Sequence, residues 1–144
     1  MAERGRSDPG VHMREPKRPT IYCFGNPLLK EDSLPFLLIP QLRKEFPLIY
    51  FVEANSPDDI EEQEEILILD TAKGITNATV LNDIDALCSN RTCSLHDFDL
   101  GMTLKLMQKM GKLRKIKIFC IPIGYNKAKA FAELKGLIEA EMKK

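Results

Sequence analysis

The sequence has no tryptophan, two histidines and no net charge, with 21 Lys+Arg set against 21 Asp+Glu in 144 residues. A chain of balanced charge has no bulk attraction for phosphate, which argues against charge-driven nucleic-acid binding. No apolar run approaches the ~20 residues that span a bilayer, so no membrane segment is expected. Cysteine is also sparse, at four residues. A chain of this size buries roughly 68–70% of its unfolded surface and needs no covalent staples. The cysteines therefore read as reduced thiols and not as a disulfide framework. Cys88 and Cys93 lack the tight pair spacing of a zinc knuckle, and Cys23 and Cys120 fall inside apolar strands as core residues. Glycine-rich motifs are missing too. Gly25-Asn26 is not followed by the further glycines of a dinucleotide fingerprint, and there is no P-loop or Gly-x-Ser-x-Gly elbow. A Cys–His dyad outside the N-terminus would have to use His96, and no cysteine stands at a supporting spacing.

What is present is an ordinary globular mixture, 44% hydrophobic and 29% charged. Residues 1–19 carry five Arg/Lys, three acids and three prolines without an apolar run. They are expected to form a flexible tail and not a secretory leader, and a cytoplasmic location follows from that expectation. Residues 20–144 are expected to form a single domain.

Thr20–Phe24 is β-rich and stops at Gly25-Asn26, which predicts a first strand. Asp32-Ser33 offers an N-cap for a helix reaching Phe46, with Pro35 in its first turn and Pro40 expected to kink or split it. Leu48–Glu53 reads as strand two. Glu65–Asp70 reads as strand three, buried on both faces in the manner of parallel sheets. Ala78–Leu81 is a short strand, and helices are expected around 83–89 and over 97–110, the latter with Phe98, Met102, Leu106 and Met110 in one core stripe. Lys115–Ile121 is the last central strand, and Asn126–Met142 a closing helix. Alternating strands and helices predict an α/β fold: a single-domain three-layer sandwich with a twisted, mostly parallel sheet and helices on both faces.

Charge is segregated along the chain. Residues 53–70 hold eight acids and no Lys/Arg, whereas 105–117 hold six Lys/Arg and no acid. Two solvated faces satisfy this pattern. So does a basic segment, Lys105–Lys117, that docks a partner protein of opposite charge.

In open α/β sheets ligands gather beyond the carboxyl ends of the strands. Three chemistry-bearing residues are expected there: Asp32 after strand one, Asp70 at the end of strand three, and His96 in the loop Ser94-Leu95-His96-Asp97. Two carboxylates and one imidazole suit a divalent metal such as nickel or zinc and leave positions for water or substrate. Each also has a plainer reading: Asp32 as a helix cap, Asp70 as a strand end, His96 as a loop histidine.

The segments IYCFGNPLLKED, EILILD and SLHDFDL, in that order, resemble the [NiFe]-hydrogenase maturation proteases. The resemblance runs from about residue 20 to residue 125, and IFCIPIGY is similar to the family's last strand and following loop. It implies an endopeptidase, aspartic-type by family classification and metal-dependent, that removes the C-terminal extension of a hydrogenase large subunit after nickel insertion. It further implies that Asp32, Asp70 and His96 hold or sense nickel, with Asp32 and Asp70 catalytic. The metal is supplied by the protein or by the substrate, and zinc or another divalent ion is possible. The implied partner is the hydrogenase large-subunit precursor, with no nucleic acid and no membrane, and the protein is expected to be a monomer. The chain departs from the family where Cys23 replaces the first glycine of Gly-x-Gly-Asn, and where Ser33, Pro35 and Ala54-Asn55 replace further glycines. A second reading follows from those departures: a non-catalytic relative acting as a metal-dependent binding or chaperone module for a metalloenzyme subunit.

Overall fold

The alternation of side chains along a strand decides which face each residue serves. The computed structural model describes residues 18–25, 28, 30, 33–54, 59–60, 65–82, 109 and 115–143. Within them lie β1 (Thr20–Phe24), α1 (Leu34–Glu45), β2 (Tyr50–Ala54), β3 (Glu65–Ala72), β4 (Thr79–Leu81), β5 (Lys115–Pro122) and α2 (Lys127–Met142). The strands form one five-stranded sheet in the order β2-β1-β3-β5-β4. All pairings are parallel except β4 with β5. The fold is α/β.

β3 lies at the centre with β5 beside it, and the apolar runs Ile66–Leu69 and Ile118–Ile121 bury both faces. One face carries Ile21, Cys23, Leu67, Leu69, Phe119 and Ile121. Leu34, Leu38, Ile39 and Leu42 of α1 and Ala130, Leu134 and Ile138 of α2 pack onto it. The other face carries Tyr22, Phe24, Ile66, Ile68, Ile116, Ile118 and Cys120, all buried. Burial on both faces is what a three-layer arrangement demands. The helices expected around 83–89 and 97–110, with their apolar stripe, lie outside the described residues apart from Lys109.

The sequence-based boundaries shift in places. β3 runs two residues past Asp70 to Ala72, and β5 one residue past Ile121 to Pro122. The Ile123 N–H donates to the Ala72 carbonyl at 3.2 Å, which extends the β3–β5 ladder beyond both strands. β2 starts at Tyr50 and not at Leu48, because Pro47 and Leu48 form the turn out of α1 and Leu48 is exposed. Helix α1 is not split at Pro40. Three buried residues around it, Leu38, Ile39 and Leu42, hold both halves against the sheet. Pro40 itself is exposed, so the lost hydrogen bond to the Phe36 carbonyl falls on the solvent side.

The helix ends follow capping rules. Pro35 sits in the first turn of α1, and Ser33 holds the N-cap position. The Ser33 hydroxyl donates back to the Lys30 carbonyl at 2.9 Å instead of accepting from the helix. In α2 the Asn126 side chain accepts the Lys129 N–H at 2.9 Å, and Ala130, Leu134 and Ile138 recur every fourth residue on the buried side. No helix among the described residues is long and apolar enough to cross a membrane.

Candidate functional site at the carboxyl rim

The chain leaves β1 toward β2 on one side and then crosses to β3 on the other side of β1. That reversal makes the carboxyl ends of β1 and β3 the topological switch point, the position where open α/β sheets bind ligands. β1 ends there at Phe24 and Gly25, and Asp70 approaches the same rim on β3. Cys23 pairs with Leu69, so the next step in register sets Phe24 beside Asp70. On its other side Asp70 is the Cα partner of Cys120 in β5.

Asp70 stands between Leu69 and Thr71 in β3, with Phe24 and Cys120 on the flanking strands. It is 2% exposed, and Thr71 is the other buried polar residue among those described. The Thr71 N–H donates to Asp70 Oδ1 at 2.8 Å and fixes the carboxylate. Strand alternation directs the side chain to the face of Ile66, Ile68 and Cys120. Burial disfavours a carboxylate unless it is hydrogen-bonded, charge-paired or ligating, and the Thr71 N–H meets the first of these conditions at Oδ1.

Cys23 lies near the rim but on the opposite face, inside the core under α1. Burial pushes its thiol up to about 12; Arg43 opposes this, while Glu53 and Asp70 add to it. The thiol is therefore protonated at neutral pH, which disqualifies it as a nucleophile. Cys120 is equally buried, its Sγ donating to the Ile118 carbonyl at 3.9 Å. Both fit the core role expected from sequence.

A second cluster borders the same rim. β4 runs antiparallel to β5 with Thr79 opposite Cys120, so the approach to β4 lies at the carboxyl half of the sheet. There Glu133 of α2 accepts the Ala78 N–H at 2.9 Å through Oε1 and the Tyr125 hydroxyl at 2.9 Å through Oε2. Lys129 Nζ lies 5.2 Å from the centroid of the Tyr125 ring. The Ala78 N–H is the main cause holding the Glu133 carboxyl below its usual range, and donors from Tyr125 and Asn77 and the charge of Lys129 add to it. In the turn between β5 and α2, Gly124 has φ 70°, a conformation side chains disfavour. Tyr125 and Glu133 are eight residues apart and on different elements, so no local motif announced their contact.

Of the three residues expected to meet at the rim, only Asp70 is among the described residues, buried within β3 two residues before the strand ends. Asp32 and His96 lie outside the described residues, as does Asn26, so their convergence is untested. Among the described residues no group of three His, Cys, Asp or Glu side chains is placed to hold a metal ion. Of the basic segment, Lys117 is half-buried in ion pairs with Glu65 at 3.8 Å and Glu141 at 3.2 Å. One member of each charged segment, Glu65 and Lys117, thus pairs with the other at the sheet's amino end.

No protein-family model matches the chain. No curated protein matches it either. Solved structures do. The hydrogenase maturating endopeptidase HybD from E. coli is 16% identical with a TM-score of 0.65, covering 87% of this chain and 93% of that one. The hydrogenase 3 maturation protease is 14% identical with a TM-score of 0.57, covering 85% and 86%. An endopeptidase from Escherichia coli is 15% identical with a TM-score of 0.58, covering 85% and 89%. The chain has the fold of the hydrogenase maturation endopeptidases, the family that its sequence resembles.

Proposed function

We propose that the protein is a metal-dependent endopeptidase that removes the C-terminal extension of a [NiFe]-hydrogenase large subunit after nickel insertion. The observation that carries this reading is Asp70, a buried carboxylate at the switch point of a fold shared with endopeptidases of that kind. Asp32, Asp70 and His96 form the proposed donor set. Carboxylate oxygen and imidazole nitrogen suit nickel, zinc and similar divalent ions, and the single donor described, Asp70, is of the right type. When bound, the metal supplies Lewis-acid polarisation of the scissile carbonyl and of water. The chain's own residues do the rest. Asp70, pinned by the Thr71 N–H, presents a fixed oxygen donor from a buried strand. Whichever of the two carboxylates the metal leaves free would take the proton released by the attacking water and pass it to the leaving amine. The protein acts in the cytoplasm as a monomer, and its partner is the large-subunit precursor.

A second reading draws on Cys23, whose side chain fills core space where the resembled family has a glycine. On that reading the protein is a non-catalytic, metal-dependent binding or chaperone module. Incubation with nickel-loaded precursor separates the two. Release of the C-terminal extension, seen by mass spectrometry, supports the protease. A stable complex without cleavage supports the module.

A further inference from the structure

Charge is sorted between the two ends of the sheet. Toward the amino end cations meet acids: Lys117 pairs with Glu65 and Glu141, and Lys135 pairs with Glu45 at 3.2 Å. At the carboxyl end two chain exits lie side by side. The Ile123 N–H bonds the Ala72 carbonyl at 3.2 Å, so the turn after β3 runs beside the turn after β5. Each turn contains a glycine of positive φ, Gly74 at 80° and Gly124 at 70°. Lys73 follows the last residue of β3, and Lys127 and Lys129 open α2 behind β5. All three lysines are exposed, and none makes an ion pair with a described residue. Glu133, the first acid along α2, engages its oxygens with the Ala78 N–H and the Tyr125 hydroxyl. One carboxylate among three lysines leaves this corner of the rim positive.

Two of these lysines stand against the dipole of their own helix. The amino end of a helix favours acids and disfavours cations. α2 has no acid in its first turn and begins instead with Lys127 and Lys129. Lys129 lies over the Tyr125 ring, which accounts for part of its placement. No contact among the described residues accounts for Lys127 or Lys73. Residues that break a local rule without a structural return mark functional surfaces. The patch also joins two separate elements, so it is not a property of one helix end.

We propose that Lys73, Lys127 and Lys129 dock an acidic segment of a partner protein at the exits of β3 and β5. Ammonium groups on flexible stems suit carboxylates spread along a chain. A nucleic acid suits the patch less. The whole chain has no net charge to attract phosphate, and Tyr125 is half-buried under Lys129, a poor platform for stacking a base. Lys73 is three residues past Asp70, at most roughly 10 Å along the chain. A segment docked here therefore lies beside the rim. Only the identity of the partner rests on the protease reading, under which the acidic segment belongs to the large-subunit precursor. Contacts of this kind set encounter rate and orientation, so they act on KM and leave kcat alone.

The probe is the acetylated, amidated heptapeptide Gly-Glu-Glu-Gly-Glu-Glu-Gly, titrated into the isotope-labelled full chain and followed by NMR. Amide shifts should move at Lys73, Gly74 and Gly124–Lys129 and stay fixed at the amino end of the sheet. Lys73→Gln with Lys127→Gln and Lys129→Gln should weaken binding at least tenfold, as should salt raised from about 50 to about 500 mM. Lys44→Gln with Lys115→Gln and Lys143→Gln removes the same charge elsewhere and should change affinity less than twofold. Lys127→Glu alone should weaken peptide binding while raising the urea midpoint, because an acid then meets the helix dipole. A lower midpoint shows that Lys127 serves the fold and overturns the proposal. So do shifts scattered over the whole surface, equal loss in the control variant, or tighter binding of a thymidine oligonucleotide than of the peptide, which assigns the patch to nucleic acid. With nickel-loaded precursor the patch variant should raise KM at least tenfold and hold kcat within twofold. The two readings fail separately. Peptide shifts at the three lysines with precursor left uncut keep the patch and remove the protease. Precursor cut by the patch variant at unchanged KM, with no shifts at the lysines, does the reverse.

Discussion

Asp70 and Cys120 are Cα partners across the β3–β5 ladder, and both are buried. A buried carboxylate lowers stability unless it is hydrogen-bonded or paired, and Asp70 accepts the Thr71 N–H through Oδ1. Asp70→Asn keeps an oxygen to accept the Thr71 N–H while removing the charge. We expect it to fold, with its far-ultraviolet dichroism unchanged, and to lose cleavage of nickel-loaded precursor by about 10²-fold or more. An aspartate kept only for structure would give a different pattern, a lower urea midpoint with activity retained.

The proposed donor set has its own signature in solution. Ligation needs both acids ionised and His96 neutral, so protons compete with the metal. Nickel affinity measured by calorimetry should fall as pH drops through the ordinary histidine range near ~6.5 and fall further toward the carboxylate range near ~4. Asp32→Asn, Asp70→Asn and His96→Ala should each weaken binding at least tenfold at pH 7.5 with the far-ultraviolet dichroism unchanged. Wild-type affinity in all three variants would remove the site.

How far the sequence can be read depends on the range of the interactions. The runs TIYCF, EILILD and KIKIFCI are local signals, and each became a strand because its apolar residues are contiguous enough to be buried on both faces. Asp70 was legible as an acid among apolar residues. Its place inside β3 was not, because Thr71 and Ala72 look like turn residues until the Ile123 N–H bonds the Ala72 carbonyl. The order of the strands and the Glu133 cluster both depend on contacts distant in sequence. No periodicity encodes them.

Pro40 tests the balance between propensity and packing in α1. Its ring removes one helical hydrogen bond, yet the helix continues because Leu38, Ile39 and Leu42 are buried. Pro40→Ala restores the N–H toward the Phe36 carbonyl at an exposed position. It should raise stability by about 1–3 kcal/mol in urea titration, the proline penalty less the chain entropy that proline removes from the unfolded state. Leu38→Ala, which empties a fully buried position, should lower it by about 2–5 kcal/mol. Equal effects from the two substitutions would mean that α1 is not held by its buried side.

The Glu133 carboxylate gives a prediction with a definite sign. Its proton affinity is lowered in the folded chain, mainly by the Ala78 N–H, with help from Tyr125, Asn77 and Lys129. A group of this kind contributes stability above its unfolded value, near ~4.3, and loses that contribution as pH falls through the lower folded value. Glu133→Gln keeps an acceptor oxygen but cannot carry the charge. Urea midpoints of wild type and Glu133→Gln should therefore differ at pH 7, with wild type higher, and converge as pH falls below 4. Tyr125→Phe removes one donor and should narrow the wild-type advantage without abolishing it, because the Ala78 N–H remains. Since Glu133 joins α2 to the approach of β4, amide exchange at Ala78 should quicken in Glu133→Gln more than in Tyr125→Phe. A gap between wild type and Glu133→Gln that is the same at pH 3 and pH 7 would show that shape, and not charge, holds this side of the rim.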